Sequence, residues 1–121
     1  MTKNEMLQRT KSFALRVIKA VQALPKRDDV AVVLGRQFLR SGTSVGANYR
    51  AACRAKSTAD FINKLKIVEE ECDESLYWME LLVESKSMPA ARFQGLMREA
   101  DELLSIIVAA LRTTRARSVN S

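Results

Sequence analysis

The chain contains no histidine. That absence excludes Ser-His and Cys-His nucleophile pairs and the Glu-x-x-His ligation of di-iron helical bundles. Its two cysteines, Cys53 and Cys72, are too few for a thiolate zinc site. With a helix–helix turn near Lys56 and Ser57, Cys53 falls about one turn before it and Cys72 about four turns after it. That puts them well over ~10 Å apart, beyond the roughly 7 Å Cα reach of a disulfide. Two reduced thiols follow, with a bridge between copies of the chain as the alternative. Aromatic residues make up only 6%, so aliphatic side chains and alanine must fill the core. Four glycines and two prolines are too few for a turn-rich β architecture. No apolar run reaches the roughly 20 residues that span a bilayer, and the opening MTKNEMLQRTK has no signal-peptide core. A cytoplasmic location is the expectation. There is no internal repeat and no low-complexity segment.

What is present reads as helix. The 121 residues are 47% hydrophobic and 28% charged, the balance of one globular domain. A first helix is expected from about Thr2 to Leu24. Thr2 and Glu5 have capping-box spacing, and Met6, Phe13, Val17, Ala20, Val21 and Leu24 share one face. Leu7, Ala14 and Ile18 widen that stripe beyond what a helix covered on one side requires, which suggests contact with a second chain. Pro25 disfavours helix at the residue before it. Asp28 or Asp29 then caps a second helix, expected to reach about Ala55, with Val30, Val33, Leu34, Gln37, Phe38, Ser41, Val45 and Asn48 along one face. Ser57 and Asp60 repeat the capping-box spacing and open a third helix to about Glu84. Pro89 suits the first turn of a fourth, whose stripe runs from Phe93 through Leu111. The fold expected is all-α: an up-down-up-down antiparallel four-helix bundle over residues 1–112, followed by a short basic flexible tail, residues 113–121.

Three glycines, Gly35, Gly42 and Gly46, fall inside the second helix. Each costs up to about 1 kcal/mol relative to alanine, so a compensating gain is expected. Close approach of a neighbouring helix would supply it; a kink is the other reading. None matches the spacing of a phosphate-binding loop.

Net charge is +6, and its distribution is uneven. Residues 1–27 carry seven Lys/Arg against the single acid Glu5, whereas residues 57–88 carry three lysines against eight acids. Either the basic first helix and acidic third helix complement each other, within or between subunits, or the basic helix faces an anionic partner. Arg9, Arg16, Lys19, Lys26 and Arg27, with Arg112, Arg115 and Arg117 of the tail, are the candidate phosphate contacts; a solvated face is the alternative for them. On the second helix Arg40, Ser44 and Asn48 follow one another at four-residue steps, and on the third Glu71 and Glu74 lie three apart. In an antiparallel hairpin Arg40 and Glu74 reach similar heights, so one polar network is expected there. Catalysis by the paired carboxylates needs a cleft that a compact bundle seldom offers. No catalytic, cofactor-binding or metal-binding residue is assigned, and a small-molecule substrate is not expected.

This polar and small-residue pattern resembles the bacterial 23S rRNA intervening-sequence proteins. The matching stretches are Gln37 to Asn48 (QFLRSGTSVGAN), Ser57-Thr58-Ala59-Asp60-Phe61, Leu65-Lys66-Ile67, and Glu71, Glu74 and Tyr77-Trp78. Together they span roughly residues 10 to 110. The family often carries a glutamate soon after the asparagine; here Tyr49, Arg50 and Ala51 follow Asn48. The resemblance implies a homo-oligomer, a pentameric ring of bundles around a channel. A structurally similar set accompanies the reverse transcriptases of diversity-generating retroelements as basic barrels that bind nucleic acid and the transcriptase. By that analogy the expected function is a non-enzymatic accessory protein that binds RNA or DNA through a basic surface, with a reverse transcriptase as a further partner. The alternative is a protein-interaction scaffold encoded in an rRNA intervening sequence.

Overall fold

A computed structural model describes residues 1–120, with side chains through Ser118. The chain folds into four helices: α1 (Lys3–Gln22), α2 (Asp29–Ala52), α3 (Thr58–Glu84) and α4 (Ala90–Asn120). Three starts are capped by side chains, as orphan N–H groups require. Thr2 Oγ1 accepts the Glu5 N–H at 3.1 Å, Asp28 Oδ1 that of Ala31 at 3.1 Å, and Ser57 Oγ that of Asp60 at 3.1 Å. Asp60 in turn accepts the Lys56 N–H at 3.1 Å. That bond, first among its causes, holds the Asp60 carboxyl below its ordinary range.

α1 and α2 stop sooner than the apolar stripes suggest, at Gln22 and Ala52. Tight turns take over, with the Leu24 N–H bonded to Val21 O and the Ala55 N–H to Ala52 O. α3 ends in a Schellman motif. The Lys86 N–H bonds Val83 O at 2.9 Å and the Ser87 N–H bonds Leu82 O at 3.0 Å. The motif places Lys86 at φ 64°, a conformation glycine would adopt more readily. The tail expected from residue 113 is instead helix: α4 continues to Asn120. Arg and Ala are good helix formers, and Thr114 Oγ1 satisfies the Ala110 carbonyl at 2.7 Å. Ser121 of that segment lies outside the described residues.

Short turns make neighbouring helices antiparallel. α1 packs on α2 and, more thinly, on α4; α3 packs on α2 and α4. The bundle is therefore a four-cornered layer pair with α1 diagonal to α3. Phe38 and Phe93 meet edge-to-face across its core at 5.7 Å, among fully buried Phe13, Val17, Val45, Leu65, Val68, Met79 and Leu103. The glycines of α2 face α1. A Cβ on Gly42 would lie 2.7 Å from both γ carbons of Val17, and one on Gly46 3.3 Å from the Thr10 backbone. α2 is one continuous helix through them, and the close approach of α1 accounts for Gly42 and Gly46.

The diagonal arrangement corrects one electrostatic expectation. Among the described residues basic α1 does not pack against acidic α3, so their opposite charges are not neutralised against each other within the chain.

Candidate nucleic-acid interface

The polar network expected on α2 and α3 is partly assembled. Arg40 Nη2 is paired with Glu74, and Nη1 lies 3.4 Å from Glu71 Oε1. Trp78 Nε1 donates to Glu74 Oε1 at 3.2 Å. The structure does not bring Ser44 and Asn48 to these carboxylates. Ser44 Oγ donates to Arg40 O at 2.7 Å and Asn48 Nδ2 to Ser44 O at 2.8 Å, so both bond their own helix backbone, the usual habit of short polar side chains in helices. Beneath the network the buried hydroxyls of Ser41 and Ser75 lie 3.0 Å apart, which ties the register of α2 to that of α3.

The charges within the network are unequal in setting. The hydrogen bond to Glu74, chiefly, raises the Arg40 pKa. Burial, in contrast, pushes the Glu71 carboxyl above its ordinary range, and Arg40 only partly opposes it. Both pKa values rise, but the rise favours the charged form of Arg40 and the neutral form of Glu71, because the Glu71 side chain is 15% exposed while that of Arg40 is 50% exposed and bonds Glu74 more closely. Desolvation therefore governs Glu71.

The candidate phosphate contacts do not form one surface. Arg9 is committed internally: Nε donates to Glu99 Oε2 at 3.1 Å, and Nη1 lies 3.2 Å from Glu102 Oε1. Its pKa is raised, first through the Glu99 hydrogen bond. It fastens α1 to α4 across their thin seam and is not available to a phosphate without breaking that pair. Arg16 is exposed, with its guanidinium beside Gly95 of α4. Lys19, Lys26 and Arg27 are exposed at the α1–α2 turn, whereas Arg112, Arg115 and Arg117 are exposed on the last turns of α4, at the opposite end of the bundle. None of these seven has an ion-pair partner among the described residues.

Sequence reasoning missed a second cluster. Where the start of α1 meets the end of α2, a groove of about 550 Å³ is lined by Lys3, Lys11, Arg50 and Arg54 on its sides and by small residues, including Ala14, Gly46 and Ala47, along its length. No acid lines it. The signal was Arg50 and Arg54 at i,i+4, which an antiparallel register places beside Lys3 and Lys11. Among the described residues no group of His, Cys, Asp and Glu is disposed to hold a metal, and no helix is long and apolar enough to cross a membrane. Both thiols are free, and burial pushes Cys72 up to about 12.

A model of the 23S rRNA-intervening sequence protein family matches residues 2–109. The chain is also similar to a crystal structure of a protein with unknown function from the S23 ribosomal protein family of Bacteroides thetaiotaomicron VPI-5482. The two are 33% identical with a TM-score of 0.85, and the match covers 93% of this chain and 99% of that one. No curated protein matches it.

Proposed function

We propose, for a chain that belongs to the 23S rRNA-intervening sequence protein family, the function of a non-enzymatic, self-assembling accessory protein that binds RNA or DNA through its basic face. The observation that carries this reading is the unmatched charge of α1. Its cations lie diagonal to acidic α3, and among the described residues only Arg9 of them is paired with carboxylates. Long cations left without partners suit a polyanion that neutralises them and releases their counterions. The protein partner under this reading is a reverse transcriptase of a diversity-generating retroelement, and copies of the chain form a ring that pools a modest net charge. With aromatics at only 6%, base stacking contributes little and binding is sequence-tolerant. Titration of labelled RNA and DNA at low and at physiological salt tests the reading. Steep weakening with salt is expected; no binding at low salt removes it. Light scattering tests self-assembly, which a monomeric mass would refute.

A second reading is a protein-interaction scaffold. It is favoured by exposed apolar residues on α2 and α3: Val30, Val33 and Tyr77 are each more than half exposed, and Tyr77 lies beside Glu70, Asp73, Glu74 and Glu80. Recovery of a partner that survives nuclease treatment would favour it.

A further inference from the structure

We propose that the α1–α2 groove bounded by Lys3, Lys11, Arg50 and Arg54 seats the sugar–phosphate backbone of a single nucleic-acid strand. This inference rests on the nucleic-acid reading above and gives it a location that the candidate phosphate contacts do not. Two elements build the groove. Gly46, whose absent side chain lets α2 approach the Thr10 backbone of α1, leaves a trough of small residues where two ordinary helices would interdigitate long ones. On either side stand cations with no ion-pair partner among the described residues and no carboxylate within the lining. Arg50 stands on the last turn of α2 and Arg54 in the turn just past its end, and Lys3 and Lys11 are separated by about 12 Å of helical rise on α1. Cations staggered along both sides in this way can meet more than one phosphate of an extended strand.

The shape selects among nucleic acids. The groove follows the narrow seam between two packed helices, which suits a single backbone laid along it. A duplex, far wider, reaches only the rims. No aromatic side chain lines the groove, so the bases stay outside it, and recognition is of charge and backbone. An acidic protein surface, including the α3 face of a second copy, is the competing occupant for the same cations.

The arrangement has a numerical consequence. Each phosphate neutralised on a single strand contributes about 0.7 to the slope of log affinity against log salt. Four cations give a slope of about 3, or roughly 50-fold weakening between 50 and 200 mM salt. The test uses the full chain, a fluorescently labelled oligouridine strand and its duplex with oligoadenosine. The groove variant Lys11→Gln/Arg50→Gln is compared with an equal-charge control, Lys19→Gln/Arg27→Gln, at the far end of the bundle. All four residues are exposed, and circular dichroism verifies that both variants fold. The groove variant should bind the single strand about 25-fold more weakly at about 0.1 M salt, with the slope reduced by about 1.4, while the control loses less. Wild type should prefer the single strand to the duplex. If wild type binds RNA but the groove variant loses no more affinity than the control, the groove is wrong and the nucleic-acid reading stands. Tighter binding of the duplex, or a change in assembly mass without a change in RNA affinity, also overturns the inference. If wild type binds neither probe at low salt, both fall.

Discussion

Replacing Gly42 by alanine should destabilise the protein although it improves helix propensity. In an ordinary helix interior the substitution would contribute up to about 1 kcal/mol. Here the added Cβ would stand 2.7 Å from both γ carbons of Val17 and 3.1 Å from its Cβ, against an ordinary carbon–carbon contact of about 3.5–4.0 Å. Val17 is fully buried, and a β-branched residue in a helix has essentially one rotamer, so it cannot swing aside. α1 itself must retreat, yet it is also seated on Gly46 through the Thr10 backbone. Overpacking of this kind costs about 1–3 kcal/mol, and the rigid obstacle puts this site near the upper figure. The net expected loss is about 1–2 kcal/mol, or roughly 4 °C in Tm per kcal/mol. Gly35→Ala is the internal control. Its Cβ would crowd Leu24 Cδ1 at 2.7 Å, the tip of a flexible side chain, and meet Val21 Cγ1 at an ordinary 3.7 Å, so helix propensity should win and the variant should match or exceed wild type. Urea denaturation followed by Trp78 fluorescence reads both. A double-mutant cycle with Val17→Ala should show a coupling of at least about 1 kcal/mol. A Gly42→Ala protein as stable as Gly35→Ala, or one uncoupled from Val17, would refute the close-approach explanation.

Four further outcomes are expected. Lys86→Gly should raise stability by about 0.5–1 kcal/mol, because the αL position at φ 64° no longer carries a side chain; a loss in thermal denaturation would contradict this. Burial raises the Glu71 pKa, so the native state holds that proton more tightly than the unfolded chain. Its destabilisation is present above the folded pKa and relieved as pH falls towards the unfolded value. Between neutral and mildly acidic pH, wild type should therefore gain stability relative to Glu71→Gln, and parallel curves would refute the burial argument. Arg9→Met should weaken the α1–α4 seam by about 1 kcal/mol yet leave RNA affinity nearly unchanged, since Arg9 is already paired with Glu99 and Glu102; a large affinity loss in the titration would place it among the free cations. Cys53 should react with a thiol reagent in the native protein and Cys72 only on unfolding, given its complete burial; two fast thiols would contradict that.

The helices were legible because their signals are local. Thr2-Glu5 and Ser57-Asp60 announce two starts by spacing alone, and stripes such as Phe93-Leu96-Ala100-Leu103 recur at helical period. Gly42 and Gly46 were legible as close contacts because a mid-helix glycine needs a compensating gain. The pairing of Arg40 with Glu74 followed from hairpin register. Other features depended on which corner each helix occupies, and one strand of sequence does not carry that. α1 lies diagonal to α3, so their charges do not cancel. Arg9 is captured by Glu99 and Glu102, some ninety residues away. Ser44 and Asn48 turn to their own backbone because a carbonyl four residues back is always within reach. The left-handed turn at Lys86 had no glycine to mark it, and the end of α4 was hidden by its polarity, since Arg112, Arg115 and Arg117 resemble a solvated tail as readily as an exposed helix face.

Photo-crosslinking to a thiouridine-containing single strand, with the crosslinked peptides identified by mass spectrometry, tests most directly whether the unmatched cations face nucleic acid. Crosslinks concentrated in the peptides around Lys3–Lys11 and Arg50–Lys56, and lost at high salt, are the expected result. Crosslinks on the acidic face around Glu70, Asp73 and Glu80 of α3, or a salt-insensitive scatter over all four helices, would contradict it.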